Sequence, residues 1–258
     1  MLLCAVGDVN GATQLDDIVY VVCRSSSRIR RFDTTTHQRL TDIRVRGMRD
    51  PQDIAACART ARLYVADLAE CVWRVSSDGA DTQRWLTTSP SDPFTPRTLS
   101  VTSSRLLVTS RIGKQLKQFD AGGDELRRVR LPSYMDPVHA VESPTESPTF
   151  IVSYRNIQLD QRQVSEVSTE GQVLRQFSGP LDWPVHIAID SQGHVLVADT
   201  DSILLLDAQL ALRRVIIDEN QLNDQQPFRL CYVEQSGQLL VGLRHNVAVF
   251  DVLQQSVL

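Results

Sequence analysis

No stretch of the sequence is apolar for the roughly 18 residues or more that a membrane-spanning helix needs. The opening residues, MLLCAVGDVNG, lack the basic segment and the long apolar segment of a secretory leader. A cytoplasmic protein without membrane contact is therefore expected. The five cysteines, Cys4, Cys23, Cys57, Cys71 and Cys231, are odd in number, and no two form a Cys-x-x-Cys pair. That argues against a disulfide framework and against a zinc knuckle, and it suits a reducing compartment. No bridge is expected between Cys57 and Cys71 in particular. Basic charge is not in excess: 27 Lys and Arg stand against 31 Asp and Glu, a formal net charge of −4. The chain as a whole thus lacks the phosphate-neutralising charge of a nucleic-acid-binding domain, which leaves room only for a local patch. Helical periodicity of useful length is also missing, so the fold class expected is all-β.

What the sequence does have is a repeat. Pro51, Pro96, Pro137, Pro184 and Pro227 follow one another at intervals of 45, 41, 47 and 43 residues. A period of about 44 residues belongs to propeller blades and is too long for leucine-rich or ankyrin units. After each proline comes an alternating strand, then a compact apolar one. The apolar segments align as VYVV (19–22), LYVA (63–66), LLVT (106–109), FIVS (150–153), VLVA (195–198) and LLVG (239–242). Their aliphatic, β-branched character is that of a strand covered on both faces. Third strands align as IRRF, VWRV, LKQF, VSEV, ILLL and VAVF, four of them followed by Asp33, Asp120, Asp207 or Asp251. An aspartate there can form an Asx-turn toward the fourth strand.

Six repeats fill residues 1–258, so a single domain is expected: a six-bladed β-propeller of four-stranded antiparallel blades. The first repeat lacks its proline. Leu2-Leu3-Cys4-Ala5-Val6 matches Arg229-Leu230-Cys231-Tyr232-Val233, which makes it the innermost strand of blade one, with Gly7 to Asp17 as an inserted loop. On that reading the ring has no cross-stitch closure, and Asn246–Val252 is an exposed edge at a weak seam between blades six and one.

The segments Trp183 to Ile216 and Asp50 to Leu86 resemble NHL repeats, whose pattern is proline, an alternating strand, a glycine turn and valine-alanine-aspartate. The likeness covers the whole chain and is specific in the second and fifth repeats. No repeat ends in Trp-Asp, which disfavours WD40, and one glycine doublet, Gly122-Gly123, is too little for kelch. The resemblance implies a non-catalytic binding scaffold without a cofactor, similar to the C-terminal domain of tripartite-motif ubiquitin ligases, where such propellers bind substrate or RNA.

Two rings of positions can be read off the alignment. Five residues past the start of each second strand lie Arg24, Leu68, Arg111, Arg155, Thr200 and Arg244. Four arginines of six suit bidentate contacts to carboxylate or phosphate. Blades two and five carry Asp67, Glu70, Asp199 and Asp201 instead, so the face reads as basic with two acidic sectors. Two residues past each proline lie Asp53, Thr98, His139, His186 and Arg229. Paired histidines can begin a zinc site, yet a third ligand is not at hand, and the carboxylates near the channel, Asp53 and Asp190, are too few for calcium. No metal and no catalytic set is assigned. The binding residues expected are Arg24, Arg111, Arg155, Arg244, Arg97, Arg229, His139, His186 and Tyr154. The partner expected is a protein or peptide, acidic or phosphorylated, taken by a monomer. Single-stranded RNA, stacked on Tyr154 and Phe228 beside the arginines, is the alternative. A metal-dependent hydrolase or lyase of the propeller type is the third reading.

Overall fold

Each of the six apolar segments needs a partner on both sides, and each has one. In the computed structural model, which describes residues 2–4, 7–69, 71–87, 94–144, 148–183 and 186–252, the strands form six sheets of four. Blade two is typical: Pro51–Cys57 is innermost, then Arg62–Asp67, Cys71–Ser76 and Thr82–Thr87 outward, all antiparallel. Val195–Ala198 lies mid-blade between His186–Ile189 and Ile203–Leu206, as its composition requires. Cys57 and Cys71 sit at opposite ends of their blade, and both are free thiols.

The core is not one mass but a set of wedges between neighbouring blades. Tyr20, Ile29 and Met48 of blade one pack on Leu63, Val65 and Trp73 of blade two. Ala66 and Val72 meet Leu99 and Phe119 of blade three. The same arrangement recurs between blades three and four, four and five, five and six, and six and one. Each fully buried Leu, Ile, Val or Phe contributes about 1.5–3 kcal/mol, so every seam is held chiefly by apolar burial. The turn aspartates act as expected in three blades. Asp33 Oδ1 accepts from Thr35 N and Thr36 N, Asp120 Oδ1 from Gly122 N, Gly123 N and Asp124 N, and Asp207 Oδ1 from Gln209 N and Ala211 N.

The closure differs from the expectation, and so does the phase of blade one. Leu2–Cys4 is the outermost strand of blade six: it pairs with Asn246–Ala248, outside Gln238–Gly242 and Arg229–Val233. Strand Asn246–Asp251 is therefore covered over Asn246–Ala248 and the ring is cross-stitched. The innermost strand of blade one is Val9–Leu15, inside the segment expected to be an inserted loop. The error has a physical source. Leu-Leu-Cys is three apolar residues with no flanking proline, compatible with any strand position, and topology alone decides which.

Candidate functional site

Strands alternate direction, so the start of each inner strand and the turn after each second strand lie at the same end of the disc, here called the upper face. A register shift follows the first residues of the inner strand in blades one to four, between Val9 and Gly11, Pro51 and Asp53, Pro96 and Thr98, Pro137 and His139. This bulge turns the next residue into the channel. The ring is then Gly11, Asp53, Thr98, His139, His186 and Arg229, and its members clasp one blade to the next. Asp53 Oδ2 accepts from Leu99 N at 2.9 Å, and Thr98 Oγ1 donates to Val138 O at 2.8 Å. His139 Nδ1 accepts from Ile187 N at 3.4 Å, and His186 Nδ1 from Leu230 N at 3.3 Å. Arg229 donates to Asn10 O of blade one, and past it to Gln52 O of blade two at 3.1 Å. In blade one a side chain has no room: a Cβ on Gly11 would fall 2.7 Å from Ile54 N and 2.9 Å from Asp53 Oδ1. Asn10 Nδ2 makes that last link, to Pro51 O at 2.8 Å.

The ring explains the two histidines. Their imidazoles stack with centroids 3.5 Å apart, and both residues are buried. Among the described residues, Asp53, His139 and His186 are the one group of three metal-capable side chains. The donor set does not suit a metal. A backbone N–H faces each Nδ1, so each Nδ1 must carry the lone pair and each Nε2 the proton. His139 Nε2 then donates to Leu99 O at 3.2 Å, and His186 Nε2 faces Asp53 Oδ2 at 3.6 Å. A ligating histidine has the opposite arrangement, donating its outer N–H to an acceptor and offering the inner lone pair to the ion. Burial, foremost, holds both imidazoles well below the usual histidine range, with the neighbouring His186 adding to the effect on His139 and Arg229 adding to that on His186. Burial likewise pushes the Asp53 carboxyl up.

Several expected binding residues are thus structural. His139 and His186 are not on the upper face. Arg229 has its guanidinium occupied by backbone carbonyls, 3.7 Å from Asp53 Oδ1. Tyr154 is 1% exposed: it alternates with Phe150 and Val152 in the wedge between blades three and four, and its hydroxyl bonds Gln163 and Ser165. It offers no ring to a base. The acidic sectors shrink to Asp201, which stays exposed. Asp67 is 0% exposed and accepts from Arg49 N, Asp50 N and Trp73 Nε1; Asp199 accepts from Asp182 N and Trp183 N. The aspartate of valine-alanine-aspartate ties down the loop that leads into its own blade, and Ser110 does the same for Thr95 N in blade three. Glu70 lies outside the described residues.

The remaining arginines fall into two groups. Arg24 and Arg244 are exposed at the seam of blades one and six, with Arg244 Nε 3.8 Å from Asp8 Oδ1. Arg97, Arg111 and Arg155 come together on blades three and four, joined by Arg162, which sequence reasoning missed. Arg111 Nε meets Asp136 Oδ1 at 2.6 Å and Arg155 Nε meets Asp160 Oδ1 at 2.9 Å. Burial and then Arg111 lower the pKa of Arg97, and burial and then Arg155 lower that of Arg162. Four guanidiniums share two carboxylates. Around them stand the exposed Leu68, Ile112, Ile157, Leu159 and Trp183, all on the upper face of blades two to five. The Arg162 guanidinium lies over the Trp183 ring at 3.9 Å, in a cleft of about 580 Å³ between blades four and five. The signal for these was in the turns: Ile112, Ile157 and Leu159 are aliphatic residues in tight polar loops, where burial cannot explain them.

The lower end of the channel opens as a funnel of about 720 Å³ whose wall includes Gln14, Arg59, Ser104, Ser143, Ser191 and Glu234. The histidine ring stands between it and the upper face.

A comparison with protein-family models finds no match, and neither does one with curated protein sequences. Solved structures do resemble this one. The WD40 β-propeller domain of Doa1 is 13% identical at a TM-score of 0.66, over 97% of this chain and 96% of that one. A protein of unknown function from Bacteroides thetaiotaomicron VPI-5482 is 13% identical at 0.70, over 95% and 70%. Streptogramin B lyase is 12% identical at 0.69, over 96% of both chains. Among the described residues no helix is long and apolar enough to cross a membrane. At these identities the likeness speaks for architecture alone, and what it establishes is that the chain is a six-bladed β-propeller.

Proposed function

We propose that this propeller is a non-catalytic interaction scaffold that docks an acidic protein segment on the upper face of blades three to five. One observation carries the reading: the arginine group Arg97, Arg111, Arg155 and Arg162 coincides with the exposed Ile112, Ile157, Leu159 and Trp183. Arginine, tryptophan and aliphatic side chains on one patch make up the energetic centre of a protein interface, where charge selects the partner and apolar burial holds it. RNA is the weaker occupant. Tyr154 is buried, and the exposed indole of Trp183 already carries Arg162 on a face, which leaves little for bases to stack on. The NHL reading of the repeat, a role beside ubiquitin-ligase domains and a cytoplasmic setting belong to the same proposal. They rest on the proline-to-valine-alanine-aspartate pattern of blades two and five, on the fold, and on the unpaired cysteines. The test is charge reversal, Arg111→Glu with Arg155→Glu, against a fluorescent peptide of alternating glutamate and leucine. Binding should weaken by on the order of tenfold or more while the melting temperature holds. Binding that survives both the double change at low salt and high salt removes this face as the site.

A further inference from the structure

The bulge that sends one ring residue into the channel leaves the residue before it at the mouth, on the upper face. In the four bulged blades these mouth positions are Asn10, Gln52, Arg97 and Val138, and Phe228 stands in the corresponding place before Arg229 in blade six. Asn10 and Gln52 are spent on backbone carbonyls, Pro51 O and Asp50 O. Val138 and Phe228 are apolar. Arg97 is the one charge among them, and it is half-buried. No hydrogen bond or ion pair engages its guanidinium among the described residues. Among the described residues its electrostatic neighbours are two more arginines, Arg111 toward the rim and Arg229 toward the axis, with Asp136 as the one carboxylate. Asp136 is already held by Arg111 at 2.6 Å. A half-buried guanidinium between two others is a cost to the fold unless an anion sits among them.

We propose that Arg97 is the anchor for a phosphoryl group, so that the segment docked on this face is a phosphorylated peptide. The inference rests on the docking reading above and makes it more specific. A guanidinium fork with free N–H groups suits the three oxygens of a phosphoryl group. The charge fits too: Arg97, Arg111, Arg155 and Arg162 against Asp136 and Asp160 leave two positive charges, which match a phosphomonoester at neutral pH better than a single carboxylate. The aliphatic side chains beside the mouth, Ile112 and Ile157, suit a peptide rather than a nucleic acid.

The experiment uses the glutamate-leucine peptide with a central serine, the same peptide with phosphoserine there, inorganic phosphate, and a polyuridine strand. On the wild-type protein the phosphopeptide should bind on the order of tenfold tighter than the serine peptide, and phosphate should raise the melting temperature. In Arg97→Gln the phosphate effect should vanish and the phosphopeptide should bind no tighter than the serine peptide, at whatever affinity the variant keeps for the latter, and the protein, having lost no hydrogen bond, should melt no lower. Arg97→Lys, which keeps the charge but not the fork, should recover part of the preference. If the two peptides bind wild type equally, or Arg97→Gln keeps the preference, the anchor is wrong though the docking face stands. If neither peptide binds, or polyuridine outcompetes both, the docking face falls with it.

Discussion

Lowering the pH from about 7 to about 5 should destabilise this propeller through His139 and His186, which close the channel as neutral rings. Above the unfolded value of 6.5 both states hold the pair neutral and nothing is lost. Below it the unfolded chain binds two protons that the native plug refuses, because their native values are depressed. Stability then falls with slope 2.303RT per proton, about 1.4 kcal/mol per pH unit for each ring and about 2.7 for the pair. Between about pH 6.5 and pH 5 the loss approaches roughly 4 kcal/mol, a large share of the 5–15 kcal/mol that ordinary domains possess. Asp53 works against it. Its carboxyl is raised by burial, so the native state takes up that proton before the unfolded chain does, and each unit of pH below its native value returns up to about 1.4 kcal/mol. Arg229, the other charge facing the rings, keeps its proton throughout this range. Urea melts followed by the fluorescence of buried Trp73 would give the slope directly. In His139→Gln one titrating ring is gone, and the slope between about pH 6.5 and pH 5.5 should fall by half, to an average of about 1 kcal/mol per unit, whatever the variant's stability at neutral pH. A wild-type stability flat across this window, or an unchanged slope in the variant, would refute the account of the plug.

Asp67→Ala should cost roughly 3 kcal/mol or more, since it strands the N–H groups of Arg49 and Asp50 and the indole N–H of Trp73 in a buried place; a loss below about 1 kcal/mol in denaturant unfolding would show those donors find water instead. Removing residues 1–4 should raise hydrogen exchange across Asn246–Asp251 before any other blade, and uniform protection there would mean that the three-residue ladder is not what closes the ring.

Most of the architecture was legible because blade strands are specified locally. A proline that starts a channel-edge strand, an aliphatic strand and an Asx aspartate recur at one period, and each needs only its near neighbours. Closure was not legible, because Leu2–Cys4 takes its place from strands at the other end of the chain. The site divides the same way. Positions on the upper face followed from the alignment, so Arg97, Arg111 and Arg155 came out together. Burial did not. Asp67 and Asp199 read as surface acids until the loop amides that they accept are known, and His139 reads as a rim residue until Ile187 N is seen opposite its ring. The alternation of Phe150, Val152 and Tyr154 did carry the signal that Tyr154 faces the wedge.

The cross-stitch also sets a clock. Cys4 pairs with Asn246, so strand Leu2–Cys4 must wait for a partner that follows it in the chain by five further blades. At about 5–20 residues per second, those intervening residues take the ribosome roughly 12 to 50 seconds to add. Through that interval the flank of blade one, with Val9, Val21 and Phe32, has no Leu240 or Val247 to cover it. A nascent chain that displays an apolar sheet face for that long is open to aggregation throughout it. The yield of this protein in a cell should therefore depend on how fast its last blade is translated, as well as on how stable the finished ring is.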